Sequence, residues 1–354
     1  MSEHIRTFSS RNSTRALVKN EGQKMIKRIF FLVTFNLIFN VSFAQSNSLL
    51  ENSFRQFLVE VRADSIRNND WNAEDWDKYT HQELLQLPLK NKETYYKAVR
   101  QALTDLGDHH SFLIGTQKTM IKKVNTKQNI PEIVSMRVDE GIGVVTMSSY
   151  FDADPFNELF IEQFHRELEK ITPLVNKGWI IDLRNNSGGN VYPMIASISD
   201  FISNQNVGGC YYYGTNYPEH LLKNSFDGQS FRMNDQLIFS YKKSYPIGTI
   251  TLPTVVLIGE KTGSSGEGLA LTLERQPNVI LAGQSTFGLA TGNEFMALPD
   301  DLGHYMLTIC HDLDKNDKPL LSEKVEPAIY LMSDSDQIYE AKKIIMSDST
   351  FQSQ

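Results

Sequence analysis

The chain has 354 residues, enough for one large hydrophobic core or two modest ones, and its 40% hydrophobic content argues against disorder. Its 42 acidic and 35 basic residues give a formal net charge of −7. Because no basic stripe is present that could follow a phosphate backbone, the composition argues against nucleic acid as a partner.

The first segment with a distinct pattern has the layout of a secretory signal peptide, which we place at residues 25–44. A short basic cluster precedes the apolar run 29–43, and small residues suited to cleavage end at Ala44. This run is shorter than the about 20 apolar residues that a membrane span needs. We therefore expect an exported protein, periplasmic or extracellular, that is not membrane-spanning after cleavage. One interpretation of residues 1–24 is an over-extended start, and a buried core helix is the alternative to the signal peptide.

Helical periodicity dominates residues 46–113, where we place an N-terminal helical region. Apolar residues recur at helical spacing in three stretches, around 49–61, 84–89 and 95–106. Gly107 follows the last stretch and predicts its end. Residues 114–140 are polar and rich in lysine, and we interpret them as a connector with room for one strand.

Strands and helices alternate after Gly141, which predicts a layered α/β core with parallel pairing over residues 141–340. The predicted strands are 142–147, 179–183 and 254–258, and the predicted helices are 156–171 and 192–202. The tyrosine-rich stretch 204–250 lacks periodicity and is predicted to be irregular, either as one wall of a substrate groove or as packing over the sheet. Residues 341–354 are assigned to a C-terminal tail.

The chain has only two cysteines, Cys210 and Cys310. A disulfide between them could persist in an exported protein. Two separately buried small hydrophobic residues are an equally good interpretation. The sequence leaves the choice open.

The sharpest chemical signal surrounds Ser264 and Ser265, where a buried strand leads into a glycine-bounded turn and then a helix. Such a turn can expose a serine where free N–H groups and the helix dipole stabilise a bound oxyanion. A helix cap is the commoner role for either serine when the motif is taken alone. A phosphate loop is disfavoured because no Gly-Lys-Ser/Thr ending is present.

A second signal is the run from Asp182 to Gly189, in which a strand ends at the pair Gly188 and Gly189. A glycine backbone can approach a ligand closely and direct its N–H groups toward it. An oxyanion-hole donor is therefore one interpretation, and an ordinary glycine turn is the other.

A third signal is the histidine pair His109 and His110 after the last N-terminal helix. A neutral imidazole can accept the proton of a serine hydroxyl near neutral pH. Zinc is disfavoured, because adjacent residues of an extended chain point apart and no third ligand lies at metal spacing. The other histidines away from the leader, at 81, 165, 220, 304 and 311, lack comparable neighbours and are expected to be surface or core residues.

In this order, the three segments resemble the C-terminal-processing (tail-specific) serine peptidase family, whose relatives include the core domain of the tricorn protease. The resemblance covers roughly residues 100–335 and implies a crotonase-like, ClpP-like spiral core with a small N-terminal helical region. It also implies a peptide or protein substrate and no metal or organic cofactor. By this resemblance Ser264 is the nucleophile, and the amides of Ser265 and of Gly188 or Gly189 form the oxyanion hole.

The chain also departs from the family pattern. In the lysine-dyad branch the catalytic lysine follows Thr-Phe-Gly, whereas Thr286–Gly288 is followed here by Leu289. The resemblance to the tricorn-like branch implies His110 as the base and Glu323 as its carboxylate partner. Only residues 114–140 stand where the family has its PDZ domain, so we expect none.

Two functional hypotheses follow. The first is a serine peptidase that hydrolyses peptide bonds by a Ser/His mechanism, with an esterase using the same residues as a variant of it. The second is a catalytically inactive member of the same fold that binds a ligand or a peptide. A fluorophosphonate probe separates them, because only an activated serine reacts with it.

Overall fold

A computed structural model describes residues 49–81, 89, 91–115, 134–151, 156–217, 220–243, 247–333, 335–347 and 351. The predicted signal peptide at 25–44 lies outside these residues, and so do residues 84–88 of the second predicted helical stretch. Within the described part of the chain, no helix combines the length and the apolar character needed to cross a membrane.

The described helices and strands alternate along most of the chain. The helices are α1 (Leu49–Asp64), α2 (Ala73–His81), α3 (Lys92–Asp105), α4 (Phe156–Ile171), α5 (Val191–Ser197), α6 (Ser265–Glu274) and α7 (Gln337–Met346). The strands are β1 (Phe112–Gly115), β2 (Val134–Asp139), β3 (Ile142–Met147), β4 (Gly178–Asp182), β5 (Asn206–Tyr212), β6 (Leu221–Phe226), β7 (Ser230–Met233), β8 (Gln236–Ser240), β9 (Thr254–Ile258), β10 (Val279–Gly283), β11 (Thr291–Ala297), β12 (His304–Asp312) and β13 (Ile329–Tyr330).

The first sheet is mainly parallel. Its strand order is β13-β10-β9-β4-β3-β2, and only β2 runs antiparallel to its neighbour. Every residue of β4, β9 and β10 is buried, which is typical of a parallel sheet covered on both faces. The predicted α/β core with parallel pairing is confirmed.

Side-chain alternation explains how both faces of this sheet are covered. In β9, Val255 and Leu257 face the cluster that contains Ala341 and Ile345 of α7. The alternate residues, among them Val256, pack in the larger cluster formed with α4, α5 and α6. Because successive side chains of a strand point to opposite faces, one strand contributes to both cores. Helix α7 thus extends into the segment that the sequence analysis assigned to the tail.

The second sheet is antiparallel and contains β1, β12, β5, β6, β7 and β8 in that order, with β11 also paired to β12. The prediction that residues 204–250 are irregular is therefore wrong. Gly208 and Gly209 interrupt β5, and β8 is exposed at almost every position, so neither of these two strands alternates apolar and polar residues. Two tyrosines of this stretch, Tyr212 and Tyr241, pack in hydrophobic clusters.

The N-terminal helices cover the second sheet. Helix α3 buries one face and is followed by its C-cap residue Leu106 and by Gly107, whose φ of +68° is a left-handed conformation that glycine adopts without strain. The chain then turns into β1, which pairs with β12. Because of this connection, His110 lies against β11, the strand paired with β12.

Cys210 and Cys310 form a disulfide between β5 and β12, with their Cα atoms 5.8 Å apart. The question that the sequence left open is thereby answered in favour of pairing. A Cβ atom at Gly292 of β11 would lie 2.5 Å from the sulfur of Cys310. A glycine is needed there so that the sheet can close over the bridge.

Candidate active site

Ser264 lies at the N-terminus of α6 in an uncommon backbone conformation. Its φ is +52° and its ψ is −123°, in a region that residues other than glycine seldom occupy. The turn before it is fixed by Thr262, whose hydroxyl donates to the carbonyl of Leu183 at 2.9 Å and accepts the N–H of Gly259 at 3.0 Å. Such conformations persist where the surrounding structure enforces them, and they are concentrated at functional sites.

Glu267 connects the serine turn to a second segment. Its side chain is fully buried and accepts the N–H of Ser264 at 2.7 Å. It also accepts the N–H groups of Gly288 and Leu289, each at 2.9 Å, and the hydroxyl of Thr286. Burial raises the pKa of this carboxyl, while the four hydrogen bonds act in the opposite direction.

The paired glycines lie directly against the serine turn. A Cβ atom on Gly188 would come within 2.9 Å of the Cβ of Ser264. The N–H of Gly188 already donates to the side-chain oxygen of Asn186 at 2.9 Å. The hydroxyl of Ser265 donates to the carbonyl of Gly189 at 2.7 Å. Across the described ranges, no acceptor takes the backbone N–H of Gly189 or of Ser265.

The two adjacent histidines occupy different environments. His109 is exposed, with a φ of +57°, whereas His110 is only 9% exposed. The Nδ1 atom of His110 lies 2.8 Å from the hydroxyl oxygen of Thr291, and its carbonyl accepts the side-chain amide of Asn293 at 3.1 Å. Burial lowers the pKa of His110, opposed by the negative charges of Asp108 and Glu323.

Asp108 fixes the backbone on which His110 is presented. Its carboxylate accepts the N–H of His110 at 2.9 Å and the N–H and hydroxyl of Ser111 at 2.7 and 2.6 Å. The hydroxyl of Ser111 in turn accepts the N–H of Thr308 in β12 at 2.9 Å. The histidine is therefore attached to both β11 and β12.

The segment 286–291 joins the serine side of the site to the histidine side. Its first four residues include the three donors to Glu267, which also holds Ser264. Its fifth, Ala290, donates its N–H to the carbonyl of Glu323 at 2.9 Å, and its last, Thr291, contacts His110. The sequence-predicted Ser264, His110 and Glu323 are thus all attached to one short stretch of chain.

Leu289 follows the run Thr286–Gly288, after which the family resemblance implies a catalytic lysine in the lysine-dyad branch. Its side chain cannot accept a proton, and its N–H is used to bind Glu267. A Cβ atom at Gly288 would lie 3.1 Å from the Cγ of Lys324. The aliphatic part of this exposed lysine therefore runs past Gly288.

Several residues of the site were not identified from the sequence. Glu267 follows the serine motif at the spacing of a helix capping box, which could have identified it. Thr291 and His311 face each other across β11 and β12, a pairing visible only once the strands are aligned. His311, expected to be a surface or core residue, is buried, and its Nε2 lies 3.4 Å from a carboxylate oxygen of Glu323.

Comparison with known proteins assigns the fold to a family. The model of peptidase family S41 matches residues 141–331, more than half of the chain. This chain belongs to peptidase family S41. The assignment confirms the C-terminal-processing peptidase family predicted from the motifs and places the chain among serine-type peptidases.

Two curated relatives of this S41 chain show the extent of the similarity. It is 25% identical over 203 residues to the carboxy-terminal processing protease CtpA of Bacillus subtilis (strain 168), which covers 56% of this chain and 37% of that protein. It is 26% identical over 217 residues to the nisin-resistance protein of Lactococcus lactis subsp. lactis, covering 60% of this chain and 62% of that protein. The matches therefore span less than two thirds of either relative.

Solved structures share the architecture over a longer range. A lipoprotein from Streptococcus agalactiae has a TM-score of 0.62 at 21% identity and covers 87% of this chain and 99% of its own. The photosystem II D1 C-terminal processing protease has a TM-score of 0.54 at 13% identity, covering 86% and 99%. At these identities the likeness shows the fold alone.

Proposed function

We propose that this chain is an exported serine peptidase that hydrolyses peptide bonds with Ser264 as nucleophile and His110 as base. The observation that carries the proposal is the attachment of both residues to the segment 286–291, one through Glu267 and the other through Thr291. A nucleophile and a base on distant parts of the sequence need such a connection to be held in one geometry.

The contacts of His110 suit it to act as a base. If Nδ1–H donates to the hydroxyl oxygen of Thr291, the lone pair of the neutral ring is on Nε2, ready for the hydroxyl proton of Ser264. Burial disfavours the imidazolium in the resting enzyme. The carboxylates of Asp108 and Glu323 then stabilise the charge that develops when the ring takes the proton.

The reaction proceeds by acyl transfer to water. The Oγ of Ser264 attacks the peptide carbonyl while His110 takes its proton, and the carbonyl oxygen becomes an oxyanion. The N–H groups of Gly189 and Ser265 hold this oxyanion, and Gly188 serves to let the backbone approach because its own N–H is used by Asn186. The protonated ring releases its proton to the leaving amine, and a water molecule activated by the same ring frees the acid product and restores Ser264.

The substrate class we propose is a peptide or protein, in keeping with the C-terminal processing activity in the names of two of the similar proteins. Export is supported by the layout of residues 25–44 and by the disulfide, a bond that persists in oxidising compartments. N-terminal sequencing of secreted protein tests whether the chain is exported and cleaved. A mature chain that begins near Gln45 is expected, and one that retains residues 29–43 would contradict it.

The catalytic proposal is tested by fluorophosphonate labelling and by cleavage of a peptide library, with Ser264→Ala and Ser265→Ala compared with the wild type. Labelling and cleavage should disappear in Ser264→Ala. Ser265→Ala is the matched control, because it loses one hydrogen bond to Gly189 but keeps the backbone N–H. Labelling that depends on Ser265 would show that the wrong serine has been chosen, and a folded wild type without labelling would favour the inactive binding member.

A further inference from the structure

His311 is a buried histidine that the reaction above does not use. It lies near the end of β12, is 4% exposed and follows the disulfide residue Cys310. The register of the two strands pairs it with Thr291, whose hydroxyl contacts His110. His311 is therefore separated from the proposed base by a single residue of β11.

Both ring nitrogens of His311 have a partner. Nδ1 lies 3.2 Å from the hydroxyl of Tyr213, and Nε2 lies 3.4 Å from Oε1 of Glu323. The two aromatic rings meet edge to face with their centroids 5.4 Å apart. Such packing restricts the orientation of the imidazole.

The polarity of these contacts follows from Tyr213. Burial, together with the neighbouring Tyr211 and Asp70, raises the pKa of the Tyr213 hydroxyl to about 12, so it keeps its proton at neutral pH. A protonated hydroxyl can donate to Nδ1 of a neutral ring. The ring proton is then on Nε2, the nitrogen that faces the carboxylate of Glu323.

Glu323 needs such a partner because its backbone alone does not direct its side chain. Its carbonyl is bound by the N–H of Ala290 and its φ is +57°, which fixes the main chain. Its side chain remains partly accessible to solvent, at 20% exposure. The charged groups that act on His110 are Asp108 and Glu323, and the groups that face His311 are the Glu323 carboxylate and the neutral hydroxyl of Tyr213.

We propose that His311 is a positioning residue, which accepts a hydrogen bond from Tyr213, donates one to Glu323 and so holds the Glu323 carboxylate beside His110. The inference rests on the proposed role of His110 as the base. With the carboxylate in place, the imidazolium form of His110 is stabilised during the reaction. Without the His311 imidazole, the Glu323 carboxylate turns toward solvent, where its charge is screened.

The experiment is a titration of His110 by NMR in the full chain with isotope-labelled histidine, between about pH 5 and pH 9. The His110 signal is assigned from its loss in His110→Gln. Glu323→Gln removes a negative charge and should lower the pKa of His110, by roughly 1 pH unit for a close charge. His311→Ala should lower the pKa of His110 by at least half as much. In His311→Gln the side-chain amide can still donate to Glu323, so this variant should have a His110 pKa close to that of the wild type.

Three comparisons separate positioning from a merely structural role. The double variant His311→Ala with Glu323→Gln should match Glu323→Gln alone, since both act through one carboxylate. Tyr213→Phe should give a smaller shift in the same direction. His220→Ala is the matched control, because His220 stacks on Tyr211 at 5.9 Å without a contact to Glu323 and should leave the titration unchanged.

The proposal is overturned if His311→Ala leaves the pKa of His110 unchanged while Glu323→Gln lowers it. It is also overturned if His311→Ala raises that pKa, because His311 would then act as a cation. The titration of His110 does not require turnover, so a failure of this proposal can be distinguished from a failure of the proposed function. That failure would appear as a wild type whose Ser264 is not labelled by fluorophosphonate, even if the titration behaves as described.

Discussion

The carboxylate of Glu267 accepts the backbone N–H of Ser264 at 2.7 Å and, through its other contacts, binds the segment that follows β10. One buried side chain therefore holds both the positive-φ conformation of Ser264 and the position of residues 286–289. The serine turn and the histidine side of the site are mechanically linked through it.

Replacing this carboxylate by an amide should disrupt the link. In Glu267→Gln an NH₂ group would face donors that now find an acceptor, which leaves up to two buried donors unsatisfied at roughly 1–3 kcal/mol each. We expect a loss of about 2–4 kcal/mol in the free energy of unfolding, and a large loss of kcat/KM. Urea denaturation and peptide cleavage measure the two effects.

The control for this variant is Glu274→Gln on the same helix. Glu274 contacts the Nζ of Lys315 at 3.5 Å and has no contact with the serine turn among the described residues. Glu274→Gln should lower the free energy of unfolding by less than about 1 kcal/mol and leave kcat/KM near the wild-type value. Equal behaviour of the two variants would show that Glu267 has no special role.

Thr291 should set the tautomer of His110. Thr291→Val removes the hydroxyl partner of Nδ1 at nearly constant volume, so we expect kcat/KM to fall by about 10- to 100-fold with the fold retained. Thr272→Val removes another buried threonine hydroxyl, bound to the carbonyl of Val207 at 3.1 Å, and should leave the rate unchanged. A Thr291→Val enzyme with wild-type kinetics would refute the assignment.

The candidate site was only partly predictable from the sequence. Ser264, His110 and the paired glycines were visible because short motifs carry their chemistry, and the family resemblance supplied their roles. Glu323, Thr291 and His311 become neighbours only through the pairing of β11 with β12. Most of β11 is half-buried or exposed and its pairing with β12 shifts register between Gly292 and Asn293, so the sequence does not show which residues of the two strands face each other.

The same distinction explains the fold. Strands β3, β4 and β9 were predicted because continuous apolar runs bounded by turns mark buried parallel strands. Strands β5 to β8 were missed, since their exposed and glycine-containing segments form a sheet through hairpin pairing and not through a hydrophobic pattern. The disulfide was undecidable because it depends on the approach of β5 to β12, which are far apart in the chain.

The half-buried acid Asp312 should make stability depend on pH. Burial and the charge of Glu267 raise its pKa from 3.8 to about 7. Between these values the unfolded chain is ionised while the folded protein keeps the proton, so the free energy of unfolding should fall as pH rises from about 4 to about 7 and level off above. Asp312→Asn should show a weaker slope over this range, measured by urea denaturation. An unchanged slope would exclude Asp312 as its source.

The disulfide should contribute substantially to stability. Its cysteines are 100 residues apart, and a bridge closing a loop of that size typically contributes about 2–5 kcal/mol. The double variant Cys210→Ser with Cys310→Ser should lose that amount in urea denaturation without a reductant. If the double variant is as stable as the wild type, the bridge either does not form or does not constrain the chain.

The central claim is that His110 and not His109 is the base, and kcat/KM on one cleavable peptide between about pH 5 and pH 9 tests it most directly. Because burial lowers the pKa of His110, activity should rise with pH through a midpoint below about 6.5. His110→Ala should lose on the order of 10⁴ in turnover, while the exposed His109→Ala should keep activity within a few-fold of wild type. Near-wild-type turnover in His110→Ala, or a comparable loss in His109→Ala, would contradict the account.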